Sequence, residues 1–439
     1  MSKYLITCYP IAGHLHPNIA LAQELVSRGH EVAVYSGDNA KKTLASVELK
    51  HFYYHKKMNE IINSVLLPLP SKDTVTSDIS TDRFPLLHLK QINKKLQRWF
   101  IETIPYQVDD ITQIIDEWSP DAIVSDIALF GPTLFLSEMV SIPTAIFCVI
   151  PACSIPGPDA PTWGRGLPLP NSFISRLRSL LEKKIKHFAL TGFKNELNKM
   201  RSRYGLPPIY VPAMEYVRRL PLYMVVGTPE LDYSRRDLPK SVHYVGPCLW
   251  HRPNNELPPS WISTLSKEQP IIYATEGTIH VKKPFLLEAT SAALAGEKLK
   301  LIMTTGKHRA PKDIKTDPGS TNIRIEQYVA HGDLFPFVDI VITTGGTGTI
   351  LSALLLGIPL IVVPTGWDLP ENAQRVVEAG VGIRIEPEKC TIKRLRSAVF
   401  EILDNPKFRL NAKKIGNALA KRGGPGRGGD LLEKMVKNS

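Results

Sequence analysis

The sequence predicts an α/β protein built from two doubly wound, Rossmann-like domains; two such domains facing each other would place a cleft between them. Three observations predict it. Short apolar strands alternate with helical spacings along the chain, as in parallel βαβ units. The alternation stops at a proline-rich segment and then starts again. Each half contains a strand–turn–helix unit, and the second, Asp339 to Val376, carries three glycines in the six residues Thr344 to Thr349. A chain of 439 residues is also too long for one core of ordinary size.

In the first half, Tyr4 to Tyr9 is an apolar strand and Pro10 to His14 a turn. Pro17 to Ser27 places Ile19, Ala22, Leu25 and Val26 at helical spacing, and Gly29 ends that helix. Glu31 to Ser36 is the next strand. This unit lacks the G-x-G-x-x-G fingerprint of a dinucleotide site. Asp121 to Val124 is a strand that ends at Ser125 and Asp126, followed by a helix from Gly131 to Met139 and a strand from Thr144 to Val149. Residues 1–245 therefore read as one domain, with long irregular stretches near 50–90 and 151–200 that suit a substrate wall. Pro247 to Ser260 holds four prolines and two asparagines, so residues 246–262 read as an interdomain linker.

The second domain is expected over residues 263–420, with a basic helical tail at 421–439. Its strands are Pro270 to Thr275, Leu299 to Thr304 and Ile323 to Ile325, with a turn at Glu276 to Thr278 and a helix from Phe285 to Leu294. The glycine unit follows: strand Asp339 to Thr343, the turn, helix Ile350 to Leu356 stopped by Gly357, strand Ile358 to Val363, and a helix from Asn372 to Ala379. Its turn presents bare backbone N–H groups at a helix N-terminus, which is an anion site. By itself the same turn fits an α/β protein that binds no nucleotide equally well. The halves share a pattern but no literal repeat.

Composition narrows the class. Hydrophobic residues make up 43% and charged residues 22%, an ordinary globular balance. No run approaches the roughly 18–20 apolar residues of a membrane span, and the N-terminus moves from strand to turn too quickly for a signal peptide. The five cysteines are odd in number and scattered, without zinc or disulfide spacing, which points to a reducing cytoplasm. The net charge of +12 gathers at 176–203 and 413–427. No nucleic-acid-binding motif accompanies it, so these runs read as solvated helix faces, with an anionic substrate or a lipid surface left open.

Six landmarks stand in order: GHLHP at 13–17, VSD at 124–126, VGP at 245–247, ATEGT at 274–278, EQYVAH at 326–331, and TTGGTGT through WDLPENA at 343–373. Together they resemble the inverting nucleotide-sugar glycosyltransferases of the GT-B architecture, within the UDP-glucosyl, bacterial natural-product and macrolide group. The resemblance covers nearly the whole chain. It implies that His14 is the general base for the acceptor hydroxyl, a task suited to an imidazole of pKa near 6.5. It implies that Asp126 orients that histidine, as in other His–Asp pairs. Without the resemblance, His14 reads as an exposed helix-start residue and Asp126 as a helix N-cap; Asp121 is a weaker rival, and His16 matches no family role and reads as a surface or loop residue.

For the donor, the resemblance implies that Gly277 and Thr278 touch the phosphates. Tyr328 replaces a stacking tryptophan, with the Val329 backbone at the base edge; on its own Tyr328 reads as a core aromatic. His280 follows the turn and could reach the cleft, though a role outside it is the commoner reading. The N–H groups of Gly345, Gly346, Thr347, Gly348 and Thr349 would face the diphosphate. Thr344 stands where the family has histidine, Ser352 where it often has a ribose-binding glutamate, and Leu369 where it has glutamine. Asp368 is kept for the sugar hydroxyls, and Asn372 matches an asparagine near the phosphate. Ile11, Phe84 and Trp163 are the acceptor-contact candidates, in stretches that also hold Phe52, Tyr53, Tyr54, Met58 and Phe173. No metal or cofactor is expected, since a helix dipole can carry the diphosphate charge.

The function expected from this resemblance is inverting transfer of a hexose, glucose from UDP-glucose, to a hydroxyl of a small aromatic or polyketide-like acceptor. A dTDP-deoxysugar donor, a non-catalytic nucleotide-sugar-binding role, and an epimerase on the same architecture are the alternatives.

Overall fold

The computed structural model describes residues 1–66, 97–151, 154–157, 159–189, 191–211, 215, 219–250, 258–277, 283–306, 309–317 and 319–439. Two parallel sheets form the frame. The first runs β3-β2-β1-β4-β5-β6-β7, from β1 (Lys3–Thr7), β2 (Glu31–Ser36), β3 (Lys50–Tyr53), β4 (Ala122–Asp126), β5 (Thr144–Cys148), β6 (Leu222–Val226) and β7 (Val242–Gly246). The second runs β10-β9-β8-β11-β12-β13, from β8 (Ile271–Thr275), β9 (Lys300–Thr304), β10 (Ile323–Glu326), β11 (Ile340–Thr343), β12 (Leu360–Val362) and β13 (Gly382–Arg384). Strands such as β4 and β8 are buried along their full length, which is why they read as continuous apolar runs rather than alternating ones.

Strand order reverses at β1/β4 in the first sheet and at β8/β11 in the second. Thr7 pairs with Ser125 at one reversal and Thr343 with Thr275 at the other. Loops leaving neighbouring strands diverge there and open a crevice at the strands' C-terminal ends. Two sheets of this kind supply two such crevices.

Several elements differ from expectation. The first helix spans Ala12–Ser27, so it begins five residues before Pro17 and takes in His14 and His16. Proline normally opens a helix, but here it sits inside, and the Asn18 amide donates to the His14 carbonyl at 2.9 Å. The stretch 50–90 is not all irregular: Lys50–Tyr53 is an edge strand and Lys56–Leu66 a helix. Helices Phe173–Ala189 and Thr191–Arg203 occupy much of 151–200. The glycine-turn helix starts at Thr347 and ends at Leu355, and the next helix starts at Leu369 and ends at Glu378.

The C-terminal helix Pro425–Lys437 lies on the first sheet's side, against the first helix: Arg28 meets Asp430 at 2.9 Å and His30 meets Glu433 at 3.0 Å. The chain thus passes from one sheet's territory to the other's twice, after β7 and again near Arg422. The two passages touch. A Cβ on Gly246 would lie 2.7 Å from Arg422 Cβ, and one on Gly424 would lie 2.7 Å from the Pro247 carbonyl oxygen. Among the described residues, no helix is long and apolar enough to cross a membrane.

Candidate active site

The site begins where β1 and β4 end side by side. His14 lies in the first turn of the helix that follows β1, and Asp126 is the last residue of β4. The adjacency of the strands brings the two side chains together across 112 residues of sequence. His14 Nδ1 lies 2.9 and 3.0 Å from the two Asp126 carboxylate oxygens. Asp126 is fully buried and also accepts from the backbone N–H of Ala128 at 2.8 Å and of Tyr9 at 3.4 Å, and from the Asn18 amide at 3.3 Å. It therefore does both things open to it: it caps the short turn Ile127–Leu129 and holds the histidine. With the Nδ1 hydrogen donated to the carboxylate, Nε2 is the acceptor.

Burial pushes the His14 pKa down. The charge of Asp126 and its hydrogen bond push it up, helped by the charge of Asp368, and the net shift is upward from 6.5. Asp368 belongs to the second sheet's half, and its charge reaches His14. Burial raises the Asp368 pKa, against local hydrogen bonds and the pull of His14. A His–Asp pair thus stands at the end of the first sheet and the half-buried Asp368 carboxylate in the second half. Asp121 makes no part of it: its carboxylate accepts from the Lys3 backbone N–H at 2.7 Å at the far end of β1.

The second wall is the reversal at β8/β11. Gly277 follows β8, and Thr344 follows β11 with its hydroxyl donating to the Glu276 carbonyl at 3.0 Å. This ties the two strand-end loops together, so Thr344 is buried and its hydroxyl is spent on the protein. Gly345 has φ +105, and a Cβ there would lie 2.8 Å from Val362 Cγ1. Only glycine avoids both penalties. Gly346 precedes the helix Thr347–Leu355, whose first turn has no side-chain cap. Nothing stands within 4 Å of a Cβ at Gly346 or Gly348. The N–H groups at this helix start therefore lack a side-chain cap, an arrangement that suits an anion.

Asn372 braces this turn. Its amide nitrogen lies 2.9 Å from the Gly345 carbonyl, 3.1 Å from the Thr347 hydroxyl and 3.1 Å from Asp368 Oδ2. It positions the glycine turn and Asp368 relative to each other. Leu369 is buried beneath the turn. Tyr328 is 63% exposed beyond β10, not a core aromatic, while Val329 is buried. Ser352 is half-buried on the glycine-turn helix. Thr278 and His280 lie outside the described residues, as does Phe84.

On the acceptor side, Ile11 is the half-buried residue before the first helix, and Trp163 is half-buried in the loop before Phe173. Tyr54 and Met58 are core residues, and Tyr54 donates to the Cys8 carbonyl. Phe52 packs edge-on against Trp118. Phe52, Tyr54 and Met58 therefore serve local packing. His16 is not a loop residue; its ring packs 4.8 Å from Trp250 at the start of the linker.

Two groups of residues were not foreseen. Trp367, beside Asp368, has φ +56 and is half exposed, with its ring edge-on to Trp99 of the opposite wall at 6.1 Å. A non-glycine residue held at positive φ is a local strain of the kind that gathers at binding clefts. The helix Leu369–Glu378 also grips the acceptor side. The fully buried Glu371 carboxylate accepts from Gly164 N–H at 2.8 Å and Gly166 N–H at 2.9 Å, and Arg375 donates to Asp232 at 2.6 Å. Arg384 adds a bond to the Gly166 carbonyl at 2.6 Å. Asp368 and Asn372 lie on one face of this helix and Glu371 and Arg375 on another, each pair at i,i+4. The only trace in the sequence is that spacing.

Residues 295–434 match the model of the erythromycin biosynthesis protein CIII-like C-terminal domain. The chain is 30% identical to 4'-demethylrebeccamycin synthase of Lentzea aerocolonigenes over 99% of its own length and 100% of the relative's. It is 22% identical to demethyllactenocin mycarosyltransferase of Streptomyces fradiae over 97% of its own length and 85% of the relative's. Among solved structures it resembles the glycotransferase of kitacinnamycin, with a TM-score of 0.73 at 20% identity, covering 99% of this chain and 98% of that one. It also resembles the glycosyltransferase VinC in complex with dTDP, with a TM-score of 0.69 at 17% identity over the full length of both. A full-length relative at 30% identity, on two parallel sheets whose reversals face one cleft, makes this chain a glycosyltransferase, a member of the natural-product family with the GT-B fold.

Proposed function

We propose that this enzyme transfers a hexose, glucose from UDP-glucose, to a hydroxyl of a small aromatic or polyketide-like natural product in one inverting displacement. The observation that carries the reading is the His14–Asp126 pair at 2.9 Å, set across the cleft from Asp368. His14 Nε2 takes the acceptor proton while the acceptor oxygen attacks the anomeric carbon from the side opposite the diphosphate. The bond from that carbon to the diphosphate oxygen breaks, and the leaving nucleotide keeps the electron pair. The imidazolium that forms is stabilised by Asp126, and the growing diphosphate charge meets the N–H groups of Gly346 to Thr349. Asp368 accepts hydrogen bonds from the sugar hydroxyls.

The test is His14→Ala. Loss of a general base should lower kcat by roughly 10²–10⁴-fold while leaving nucleotide affinity unchanged. Unchanged turnover would remove His14 from the mechanism, and nucleotide binding without transfer or hydrolysis over a broad acceptor panel would favour a binding protein.

A second donor reading rests on Leu369. Because it is buried and apolar, Asp368 is left as the one polar side chain of that pair for the sugar, which suits a less hydroxylated deoxysugar on dTDP. The VinC structure holds dTDP, and one relative is named a mycarosyltransferase, which supports it. Thermal shifts with UDP, dTDP and GDP separate the donors: stabilisation by dTDP alone selects the deoxysugar reading, and by GDP alone excludes both.

A further inference from the structure

The helix Phe173–Ala189 is built inside out. A helix on a globular protein normally turns its apolar stripe inward. Here the half-buried residues are Ser175, Ser179, Glu182 and Lys183. Glu182 pairs with Arg165 at 3.2 Å and Arg178 at 3.1 Å, and Lys183 donates to the Gly157 carbonyl at 3.0 Å. The outward residues are Phe173, Ile174, Leu177, Leu180, Leu181 and Ile185, each between 54% and 81% exposed. At about 100° per residue they fill an arc of about 140°. A contiguous apolar face of this kind on a soluble surface marks an interaction site.

Charge says what it meets. The exposed cations Arg176 and Arg178 flank the stripe on either side, and exposed Lys184 lies within it. The helix has one acid, Glu182, and that is turned inward and paired. A protein partner's apolar groove would have to bury Lys184 among leucines. A bilayer does not, because a lysine stem can lie along acyl chains while its ammonium reaches the headgroups. An apolar arc with cations at its margins is the pattern of a helix lying in an anionic membrane interface.

We propose that the helix Phe173–Ala189 docks this enzyme on an anionic lipid surface, its apolar stripe among the acyl chains and Arg176, Arg178 and Lys184 at the headgroups. Docking there brings the loop of Trp163 to the membrane: Arg165 ties that loop to the helix, and Glu371 ties it to the cleft. An acceptor dissolved in the bilayer then has a short path to the site.

The test is co-sedimentation of the full chain with vesicles of phosphatidylcholine alone and of phosphatidylcholine with phosphatidylglycerol. The expected result is binding to the anionic vesicles, at least about tenfold weaker on neutral ones and weakened by salt. Leu177→Glu with Leu181→Glu should abolish it, and Arg176→Gln and Lys184→Gln should each weaken it by about fivefold. All four positions are exposed, so the melting temperature should stay that of the wild type, which checks the fold. No binding to anionic vesicles overturns the proposal, and so does binding that the double glutamate variant leaves unchanged. A dimer in light scattering that the same variant dissociates, without vesicle binding, would make the stripe a self-association face instead.

Discussion

Replacing Asp126 by asparagine changes little in shape and much in chemistry. The carboxylate accepts the Nδ1 hydrogen of His14 through both oxygens. An asparagine amide can instead donate to Nδ1, which moves the ring hydrogen to Nε2 and removes the acceptor that the reaction needs. It also removes the charge that balances the imidazolium. Two unit charges about 4 Å apart at an effective dielectric constant of about 20 interact by about 4 kcal/mol. That is about a thousandfold in rate. The assay is kcat at saturating donor and acceptor, together with kcat/KM for the acceptor, from pH 5 to 9. With His14 as the proposed base, which must be neutral to act, its net upward shift should place the acid limb of kcat/KM above 6.5 in the wild type. In the variant burial dominates, and the limb moves below 6.5. The same coupling appears in stability. A histidine whose folded pKa is raised contributes stability that is present below 6.5 and lost as pH rises through the folded value, so the variant should lose stability mainly on the acid side. Nucleotide affinity should not change, since Asp126 belongs to the other wall. A kcat within about threefold of wild type, or an unmoved acid limb, would refute this account of the pair.

Neighbouring glycines should behave differently. Gly345→Ala places a Cβ 2.8 Å from Val362 Cγ1 at φ +105, so it should destabilise the fold by about 1–3 kcal/mol in denaturant unfolding. Gly346→Ala has φ −60 and open space, so its stability should match the wild type while nucleoside diphosphate affinity, read by calorimetry, drops at least about tenfold if a phosphate sits there. Arg375→Ala leaves Asp232 and Glu371 as buried carboxylates and should cost about 3–5 kcal/mol; a cost under about 1 kcal/mol would mean that the contact between the walls is not held by charge.

What the sequence disclosed follows from how local each signal is. The glycine turn could be read directly because φ +105 at Gly345 and the uncapped helix behind it leave their mark in six consecutive residues. His14 and Asp126 are separated by 112 residues, yet Asp126 ends one buried strand and His14 opens the helix that follows another, and the alternation of strand and helix makes those strands neighbours. The early start of the first helix was hidden by Pro17, since a proline signals a beginning far more often than a sixth position. Beyond its i,i+4 spacing to Arg375, the role of Glu371 could not be read. Its partners are backbone N–H groups at Gly164 and Gly166, and backbone groups leave no signature in side-chain identity. The outward stripe of Phe173–Ala189 lies in a stretch that the sequence suggests is irregular, and periodicity would not say which face of a helix meets the protein. The basic residues drew the reading toward a solvated face, whereas the exposed face is largely apolar. Trp367 is a single residue whose strain only backbone angles reveal.

The contact between the two passages of the chain limits how the two halves could move relative to one another. Joined by one tether, two bodies can swing through a cone. Here Gly246 and Pro247 of the outgoing segment abut Arg422 and Gly424 of the returning one, and glycine at both positions lets the segments approach without side chains between them. Two tethers pinned together act as a spindle, and the halves can swivel about it but not slide past one another. A substituted Gly424 would wedge the spindle apart and tilt its axis. Displacement would then grow along the lever arm toward the mouth, so a change distant from His14 and Asp368 would register first as an altered gap between them.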